Sequence, residues 1–265
     1  MNRKIGIIGG GNLGTAIAEG LLNSGFAKPA DLTISKRNTA TLSALKEKGV
    51  TIASDNHTAV KNSELIILAV KPFQVKEVLE GISADLSDSR HMLVSVITGI
   101  FIQDIIEITG KSLPIFRAMP NTAIAIQQSM TCLSSFNASR EQIQYVEALF
   151  NTVGRVANIE EKLMDAATVL GACGTAYAMR YIRANIQGGI EIGFDAFTAS
   201  LIAAQTVKGA AELLLQNGTH PEQEIDKVTT PKGCTIAGLN EMEHQGFSSS
   251  IIKGIAVSFN KIIKG

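Results

Sequence analysis

Charged residues are scarce in this chain, and the two signs cancel. Asp, Glu, Lys and Arg make up 18% of the 265 residues, with 24 basic and 24 acidic side chains and a formal net charge of zero. Binding to phosphate backbones or anionic membranes depends on surplus positive charge, so we expect neither a nucleic-acid nor a membrane partner. The low charge, with 45% hydrophobic residues, indicates a folded chain that hides some surface in an oligomer.

Cysteine is equally scarce. Cys132, Cys173 and Cys234 are widely spaced, which gives neither a disulfide framework nor a pair of metal ligands. We therefore expect free thiols in a reducing cytoplasm. The four histidines are scattered without metal-binding spacing, so we expect no metal site and no catalytic triad.

No segment resembles a secretory leader or a membrane span. The first apolar run, 5–11, is too short and too rich in glycine for a signal peptide. The longest uncharged stretch, 118–139, contains proline, asparagine, glutamine and several hydroxyl side chains, which excludes a membrane helix. A cytoplasmic location is therefore expected.

A glycine-rich motif lies between a strand pattern and a helix pattern. Residues 4–8 are apolar, Gly9-Gly10-Gly11-Asn12-Leu13-Gly14 follow, and 15–22 are apolar at helical spacing. In a dinucleotide-binding turn, Gly9 permits the tight turn, Gly11 admits the pyrophosphate, and Gly14 lets the helix pack on the strand. The helix start supplies N–H groups to the phosphates.

The next predicted strand, 31–35, ends in basic rather than acidic residues. NAD-binding proteins commonly carry an acid here for the ribose 2′-hydroxyl, but this chain has Ser35-Lys36-Arg37-Asn38. A 2′-phosphate would be bound by the Ser35 hydroxyl, Lys36 and Arg37, so we expect NADPH, with NADH as the second candidate. The alternative is that Lys36 and Arg37 form a solvated turn.

Strand and helix patterns continue to alternate through the first half. Further strands are expected at 64–70, 91–97, 111–118 and 154–159, with helices at 74–79 and 140–150. Such alternation predicts an α/β fold, with a Rossmann-type, doubly wound parallel sheet over 1–160. Ligands bind beyond the carboxyl ends of such strands, where Lys71-Pro72, Thr98-Gly99 and Met119-Pro120-Asn121 fall.

From Glu161 onward the strand patterns stop. The 53 residues 166–218 carry only six charged side chains and no proline, which predicts helices that are apolar nearly all round. Such helices must be buried. A subunit interface is favoured over an intrachain core, so we expect an all-α dimerisation domain over 161–265.

A second loop-to-helix junction occurs near the end of the chain. Pro231 and Gly233 interrupt a helical pattern, and 235–243 resumes it. The N–H groups of this helix start can hold a carboxylate. The alternative is simple capping by Thr230 or Thr235.

Four segments together resemble the pyrroline-5-carboxylate reductase family. They are the glycine motif 9–14, Ala69-Val70-Lys71-Pro72, Arg117-Ala118-Met119-Pro120-Asn121, and 228–239. The resemblance covers essentially the whole chain. It implies an NAD(P)H-dependent oxidoreductase that reduces the C=N bond of 1-pyrroline-5-carboxylate to L-proline, the last step of proline biosynthesis. It also implies a homodimer built from the C-terminal helices, often assembled further.

The resemblance and the motifs together define the expected site residues. The expected cofactor-binding residues are Ile8, Gly9, Gly10, Gly11, Asn12, Leu13, Gly14, Ser35, Lys36, Arg37, Asn56, Ala69, Val70, Lys71, Pro72, Val96 and Ile97. The expected substrate-binding residues are Asn121, Thr230, Lys232, Gly233, Cys234 and Thr235. By resemblance, Thr235 is the catalytic residue, because the family's final loop threonine hydrogen-bonds the substrate ring nitrogen.

The chain departs from the family pattern at two positions. Lys232 replaces a glycine of the loop that reads roughly Ser-Pro-Gly-Gly-Thr-Thr in the family, and it adds a cation or crowds the loop. In Cys173-Gly174-Thr175-Ala176-Tyr177, Thr175 replaces a proline at the start of a long helix.

Two other functions remain open from the residues alone. A reductase of the β-hydroxyacid type needs a polarising group, usually lysine, but between 161 and 218 the lysines are Lys162 and Lys208, outside the motif of that family. A non-catalytic dinucleotide sensor would lack the loop 230–235, which is present. Imine reduction needs geometry more than a strong acid, because a protonated imine is already electrophilic.

Overall fold

The structure is a computed structural model that describes residues 3–264. The chain divides into two compact units, an N-terminal and a C-terminal unit, with the boundary between Ala172 and Cys173. The last strand ends earlier, at Asn158. The two units are described separately below.

The N-terminal unit contains one eight-stranded sheet. Its strands are β1 Ile5–Ile8, β2 Leu32–Ser35, β3 Thr51–Ala53, β4 Leu65–Leu68, β5 Met92–Ser95, β6 Ile115–Met119, β7 Ser129–Phe136 and β8 Gly154–Asn158. Their order is β3-β2-β1-β4-β5-β6-β7-β8, and every neighbouring pair is parallel except β6 and β7. The doubly wound sheet expected from the sequence is thus confirmed. The strand order reverses between β1 and β4, because β2 and β3 are added on one side of β1 and the later strands on the other. The carboxyl end of β1 therefore lies at the switch point where such sheets bind ligands.

Helices and short 3-10 turns connect these strands and follow the last of them. The helices are α1 Asn12–Asn23, α2 Ser43–Glu47, α3 Asn56–Lys61, α4 Val75–Ile82, α5 Ile102–Thr109, α6 Arg140–Asn151 and α7 Met164–Ala167. The 3-10 turns are Pro29–Asp31, Thr39–Leu42, Pro72–Gln74, Thr122–Ile126 and Glu161–Leu163.

Side chains of the central strands alternate between two apolar cores. One face carries Ile7, Ile67, Val94 and Phe116 in a row across β1, β4, β5 and β6. The other face carries Ile66, Leu93 and Ile115 and packs against α4 and α5. Because both faces are covered, the strands read as continuous apolar runs, which is why they were predictable.

Two strands were not predicted. β3 has only three residues and forms the sheet edge. β7 lies inside the uncharged stretch 118–139, and its buried positions include Ser129 and Thr131. An antiparallel strand that buries hydroxyl side chains lacks the apolar run that marks a buried strand in sequence.

The C-terminal unit is entirely helical in the described residues. Its helices are α8 Gly174–Glu191, α9 Ala196–Asn217, α10 Pro221–Lys227, α11 Cys234–His244 and α12 Phe247–Lys264, and a π-helical stretch, Thr168–Cys173, precedes α8. Within residues 3–264, no helix has the combination of length and apolarity that a membrane crossing requires.

The long helices of this unit expose large apolar side chains. Phe197 and Leu201 of α9 are 80% and 62% exposed, and Ile192, which follows the last residue of α8, is 78% exposed. Of α8–α12, only Ala199 and Ala203 are buried. The apolar pattern of 166–218 therefore does not form a core inside its own unit. Exposed apolar surface of this kind marks an interaction site.

We predict opposite stability changes for alanine at two helical glycines. A Cβ at Gly20 of α1 would lie 2.5 Å from the Ile124 carbonyl oxygen, whereas a Cβ at Gly81 of α4 meets nothing within 4 Å. Gly20→Ala should cost about 1–3 kcal/mol of unfolding free energy, because backbone must shift. Gly81→Ala should gain about 0.5–1 kcal/mol from helix propensity. Urea denaturation measures both, and a Gly20→Ala chain as stable as the parent would contradict the close contact.

Candidate functional site

The glycine turn after β1 depends on two very close backbone approaches. Gly9 has φ +110°, and a Cβ there would lie 2.4 Å from the Ala69 carbonyl oxygen. A Cβ at Gly14 would lie 2.1 Å from the Gly9 carbonyl oxygen. The N–H groups of Gly9 and Gly10 donate to the Ser35 carbonyl oxygen at 3.1 and 3.0 Å. Backbone hydrogen bonds therefore hold the turn against β2, and its backbone lies in close contact with the residue that follows β4.

Gly11 differs from the other two motif glycines, because it faces open space. A Cβ at Gly11 meets no atom within 4 Å. Gly11 is also the N-cap of α1, and no side chain caps the helix there. The first N–H groups of a helix have no intrahelical partner, so this helix start can donate to an anion.

A cleft of about 790 Å³ opens at the carboxyl ends of β1, β2, β4 and β5. Its lining residues come from the glycine turn, from the segments that follow these strands, and from single residues after β3 and β6. They are Gly9, Gly10, Gly11, Asn12, Leu13, Ser35, Lys36, Arg37, Asn38, Asn56, Ala69, Val70, Lys71, Gln74, Glu77, Val78, Val96, Ile97, Thr98 and Thr122.

Hydrogen bonds fix the polar side chains at the β2 end of this cleft. The Ser35 hydroxyl donates to Asn56 Oδ1 at 2.8 Å, and Lys36 Nζ donates to Thr41 Oγ1 at 2.7 Å. Asn56 begins α3, whose N-terminus is capped by Asp55 through the Thr58 N–H at 2.8 Å. That bond holds the pKa of the Asp55 carboxyl below its usual value.

The charges around the cleft are unequal. The cleft is lined by three basic residues, Lys36, Arg37 and Lys71, and by one acidic residue, Glu77. Within the part of the chain that the structure describes, none of these three cations forms an ion pair. A neutral protein thus presents a locally positive cleft, which suits an anionic ligand.

The second candidate set lies in the C-terminal unit. The Gly233 N–H donates to the Thr230 carbonyl oxygen at 3.0 Å, and Lys232 adopts φ +62°. Gly233 is the N-cap of α11 without a side-chain cap, and Thr235 lies in the first turn. Capping of α11 by Thr230 or Thr235, the alternative left open by the sequence, is therefore absent from this structure.

Sequence profiles and known proteins match nearly the whole chain. A profile described as "Pyrroline-5-carboxylate reductase dimerisation" matches residues 161–264, and one described as "NADP oxidoreductase coenzyme F420-dependent" matches 4–99. Pyrroline-5-carboxylate reductase 2 of Dictyostelium discoideum is 43% identical over 99% of this chain and 93% of its own length. The chain belongs to the pyrroline-5-carboxylate reductase family.

Other members of the pyrroline-5-carboxylate reductase family are also similar to this chain. Pyrroline-5-carboxylate reductase 1 of Dictyostelium discoideum is 46% identical over 97% of this chain, which spans 49% of that relative's length. A crystal structure of Plasmodium falciparum pyrroline carboxylate reductase with NADP bound has a TM-score of 0.90 and 27% identity, covering 98% of this chain and 97% of that one. The structure of a pyrroline-5-carboxylate reductase from Coxiella burnetii has a TM-score of 0.90 and 28% sequence identity. That match covers 100% of this chain and 98% of the Coxiella chain.

Most of the expected cofactor residues of this reductase-family chain line the cleft, and three do not. Ile8 is the last residue of β1 and is fully buried in the core, Gly14 packs on Gly9, and Pro72 begins the 3-10 turn beside Lys71. Six lining residues are absent from the expected cofactor-binding residues, namely Asn38, Gln74, Glu77, Val78, Thr98 and Thr122. The sequence did place Thr98 among the segments beyond the strand ends, three residues after β5. Glu77 and Val78 reach the cleft one helical turn after Gln74, a relation that needs the fold.

Asn121 lies in the N-terminal unit, and both its side-chain oxygen and its side-chain nitrogen form a hydrogen bond there. Its Oδ1 accepts from the Ala123 N–H at 3.0 Å, and its Nδ2 donates to the Gly171 carbonyl oxygen at 3.1 Å. The neighbouring Thr122 lines the cleft. These two bonds fix the loop that follows β6. The contact of Asn121 with a substrate stays a prediction.

We predict that Gly11→Ala separates ligand binding from folding. Because the added methyl group meets no protein atom, unfolding free energy should fall by at most about 1 kcal/mol, the cost of a poorer N-cap. The methyl would occupy the space for the pyrophosphate, so the Kd for NADPH should rise about tenfold or more. Calorimetric titration and thermal melting measure the two effects.

Gly14→Ala is the control, because its Cβ would overlap the Gly9 carbonyl oxygen and should destabilise the fold itself. Unchanged NADPH affinity in Gly11→Ala would mean that the cleft does not hold the pyrophosphate beside Gly11.

Proposed function

We propose that this chain catalyses the NADPH-dependent reduction of 1-pyrroline-5-carboxylate to L-proline, as a cytoplasmic homo-oligomer. The observation that carries the proposal is the open, positively charged cleft at the glycine turn, in a chain that belongs to the pyrroline-5-carboxylate reductase family. The family match disfavours a β-hydroxyacid dehydrogenase and a non-catalytic sensor.

The cleft fits a phosphorylated dinucleotide along its length. The helix start at Gly11 and Asn12 suits the pyrophosphate, and Arg37 is free to bind a 2′-phosphate. This leaves the end formed by Val96–Thr98 and Thr122 for the nicotinamide ring. NADPH, when bound, supplies the hydride for the C=N carbon. The NADP-bound Plasmodium relative supports this coenzyme.

The C-terminal unit carries the expected substrate groups. The N–H groups at the uncapped start of α11 are suited to the substrate carboxylate, as is the exposed Lys232 ammonium. The Thr235 hydroxyl would accept from or donate to the ring nitrogen as it changes from planar imine to amine. Since a protonated imine carries its own activation, orientation is the main contribution of these residues.

A homodimer is the state that best explains the C-terminal helices. The exposed side chains of Ile192, Phe197 and Leu201 each gain about 1.5–3 kcal/mol when fully buried. Their helices fall within 161–264, which matches the family's dimerisation profile. A second copy of the chain is therefore the proposed cover, and no nucleic-acid or membrane partner is proposed.

A direct assay tests the reaction. Purified protein is incubated with 1-pyrroline-5-carboxylate and either NADPH or NADH, while coenzyme absorbance and proline formation are followed. We expect coenzyme oxidation to match proline formation, with NADPH favoured. Turnover of a 2-methyl-3-hydroxy acid with NADP⁺ instead would support the β-hydroxyacid alternative, and binding without any turnover would support the sensor.

We predict that Arg37, more than Lys36, determines coenzyme preference. Lys36 Nζ is already bonded to Thr41, whereas Arg37 is exposed at the cleft. A charged hydrogen bond to the 2′-phosphate is worth about 1.5–3 kcal/mol, so Arg37→Ala should lower the NADPH-to-NADH ratio of kcat/KM by about one to two decades. Lys36→Ala should lower this ratio less. Lys48→Ala is the control and should leave the ratio unchanged, because Lys48 is exposed and does not line the cleft.

Equal ratios in the parent and in Arg37→Ala would show that this arginine does not bind the 2′-phosphate.

We predict that Thr235→Val affects turnover rather than stability. Because Thr235 caps no helix in the structure, the melting temperature should hardly change. Losing one preorganised hydrogen bond to the reacting nitrogen should lower kcat roughly 30- to 1,000-fold, with NADPH affinity unchanged. Thr229→Val is the control, since its hydroxyl donates to the Ile225 carbonyl oxygen at 2.7 Å and serves α10 only. A Thr235→Val enzyme that melts lower but keeps its kcat would contradict the catalytic role.

A further inference from the structure

The N-terminal unit buries an arginine that the proposed mechanism does not use. Arg117, in the middle of β6, is 1% exposed and is the largest of the fully buried side chains that the structure describes. It lies beside Ser95 of β5, on the face of the sheet that carries Leu93 and Ile115. It belongs to a motif on which the family resemblance rests, Arg117-Ala118-Met119-Pro120-Asn121.

Three segments surround the Arg117 guanidinium. Its Nη1 donates to Glu161 Oε1 at 3.2 Å, and its Nη2 lies 3.9 Å from Asp165 Oδ1. The ring of Phe101 packs over it, with 4.8 Å between the guanidinium carbon and the ring centroid. The same Glu161 Oε1 accepts from the Ile102 N–H at 2.7 Å, at the start of α5.

Stability alone is a poor explanation for this cluster. Arg117 Nη2 and Asp165 Oδ1 are both buried and form no hydrogen bond among the residues that the structure covers. A buried ion pair with unsatisfied groups is commonly less stable than apolar side chains of similar volume, because desolvation outweighs attraction. Stabilisation of the fold alone therefore does not account for the buried guanidinium.

The segments that Arg117 joins carry the far end of the cleft. Through Glu161 it fixes the start of α5 at Ile102, and residues 96–98, which line the cleft, are joined to that start by the three residues 99–101. Along its own strand it precedes Asn121 and Thr122. The Asn121 Nδ2 group donates to the Gly171 carbonyl oxygen, so the loop after β6 is also bonded to the segment that follows α7.

We propose that Arg117, acting through Glu161, Asp165 and Phe101, is a positioning residue for the nicotinamide end of the cleft. It holds the loops 96–101 and 120–122 in the arrangement that sets the distance and angle for hydride transfer. The proposal rests on the proposed function, because that function assigns this end of the cleft to the nicotinamide ring. The adenosine end is formed by residues of β2, α3 and α4 and the segments beside them, and none of these elements contributes a residue to the Arg117 cluster.

The test compares two changes in the cluster with two controls. Arg117→Lys keeps the charge but loses the planar fork and the stacking on Phe101. Glu161→Gln keeps an acceptor for the Ile102 N–H and removes the charge. Phe150→Leu perturbs the core on the opposite face of the sheet, and Arg90→Lys changes an exposed arginine that donates to the Lys61 carbonyl oxygen.

Each protein is measured well below its own unfolding temperature. The measurements are kcat, the Kd for 2′-phospho-ADP-ribose, which lacks nicotinamide, and the fluorescence of bound NADPH, which reports the surroundings of its nicotinamide. For Arg117→Lys we expect kcat to fall about 10- to 100-fold, an altered NADPH emission, and a Kd for 2′-phospho-ADP-ribose within about twofold of the parent. Glu161→Gln should change the same quantities less, by about 3- to 10-fold in kcat, and it serves alone if Arg117→Lys does not fold.

Parental kcat and emission in the cluster variants would overturn the proposal, as would equal losses in Phe150→Leu. A loss of 2′-phospho-ADP-ribose affinity as large as the loss of kcat would also overturn it, because that result describes a loosened fold. A parent protein that binds NADPH but does not reduce 1-pyrroline-5-carboxylate would instead contradict the proposed function. In that case the emission of bound NADPH still decides whether Arg117 positions the nicotinamide end.

Discussion

The contact between Gly9 and Gly14 is the constraint on which the N-terminal unit depends. A Cβ on Gly14 would overlap the Gly9 carbonyl oxygen, and a Cβ on Gly9 would overlap that of Ala69. These approaches bring β1, β4 and α1 together, and the Ser35 carbonyl oxygen joins β2 through two N–H groups. At Gly11 itself a Cβ would meet no atom within 4 Å, so the helix start faces the open space of the cleft. The architecture and the anion-binding geometry are therefore one feature.

Local arrangement, rather than net charge, gives the cleft its sign. The chain has no net charge, yet three cations and one acid line the cleft. The fold also divides the work among the polar residues. Ser35 orients Asn56, and Thr41 holds Lys36, which leaves Arg37 exposed for a ligand. Positive charge is useful here because it is placed without neutralising partners, and its effect is screened as ionic strength rises.

Local patterns in the sequence predict most of this fold but less of the site. The apolar strands β1, β4, β5 and β6 and the glycine turn follow from short-range patterns, because both faces of the sheet are buried. β7 was missed, since it buries Ser129 and Thr131 in place of apolar residues. Glu77 and the Arg117 cluster were missed for a different reason, because each is brought to its place by other elements of the fold. Glu77 joins a cleft lined by several segments, and Arg117 contacts Phe101, Glu161 and Asp165. The resemblance identified Arg117 as part of a motif, but its surroundings needed Glu161, 44 residues away.

The Lys232 departure from the family places a side chain at a backbone conformation that favours glycine. Lys232 has φ +62°, a conformation that costs a residue with a Cβ about 1–2 kcal/mol relative to the ordinary right-handed region. Such strain persists only where the surroundings impose it. Here the Gly233 N–H bonds the Thr230 carbonyl oxygen, and a Cβ at Gly233 would lie 2.5 Å from the Thr230 hydroxyl, so the turn is tightly determined. The loop keeps the conformation that glycine would favour, and the start of α11 keeps its free N–H groups. What lysine adds is an exposed ammonium beside them, which makes this helix start more attractive to a carboxylate than the backbone alone.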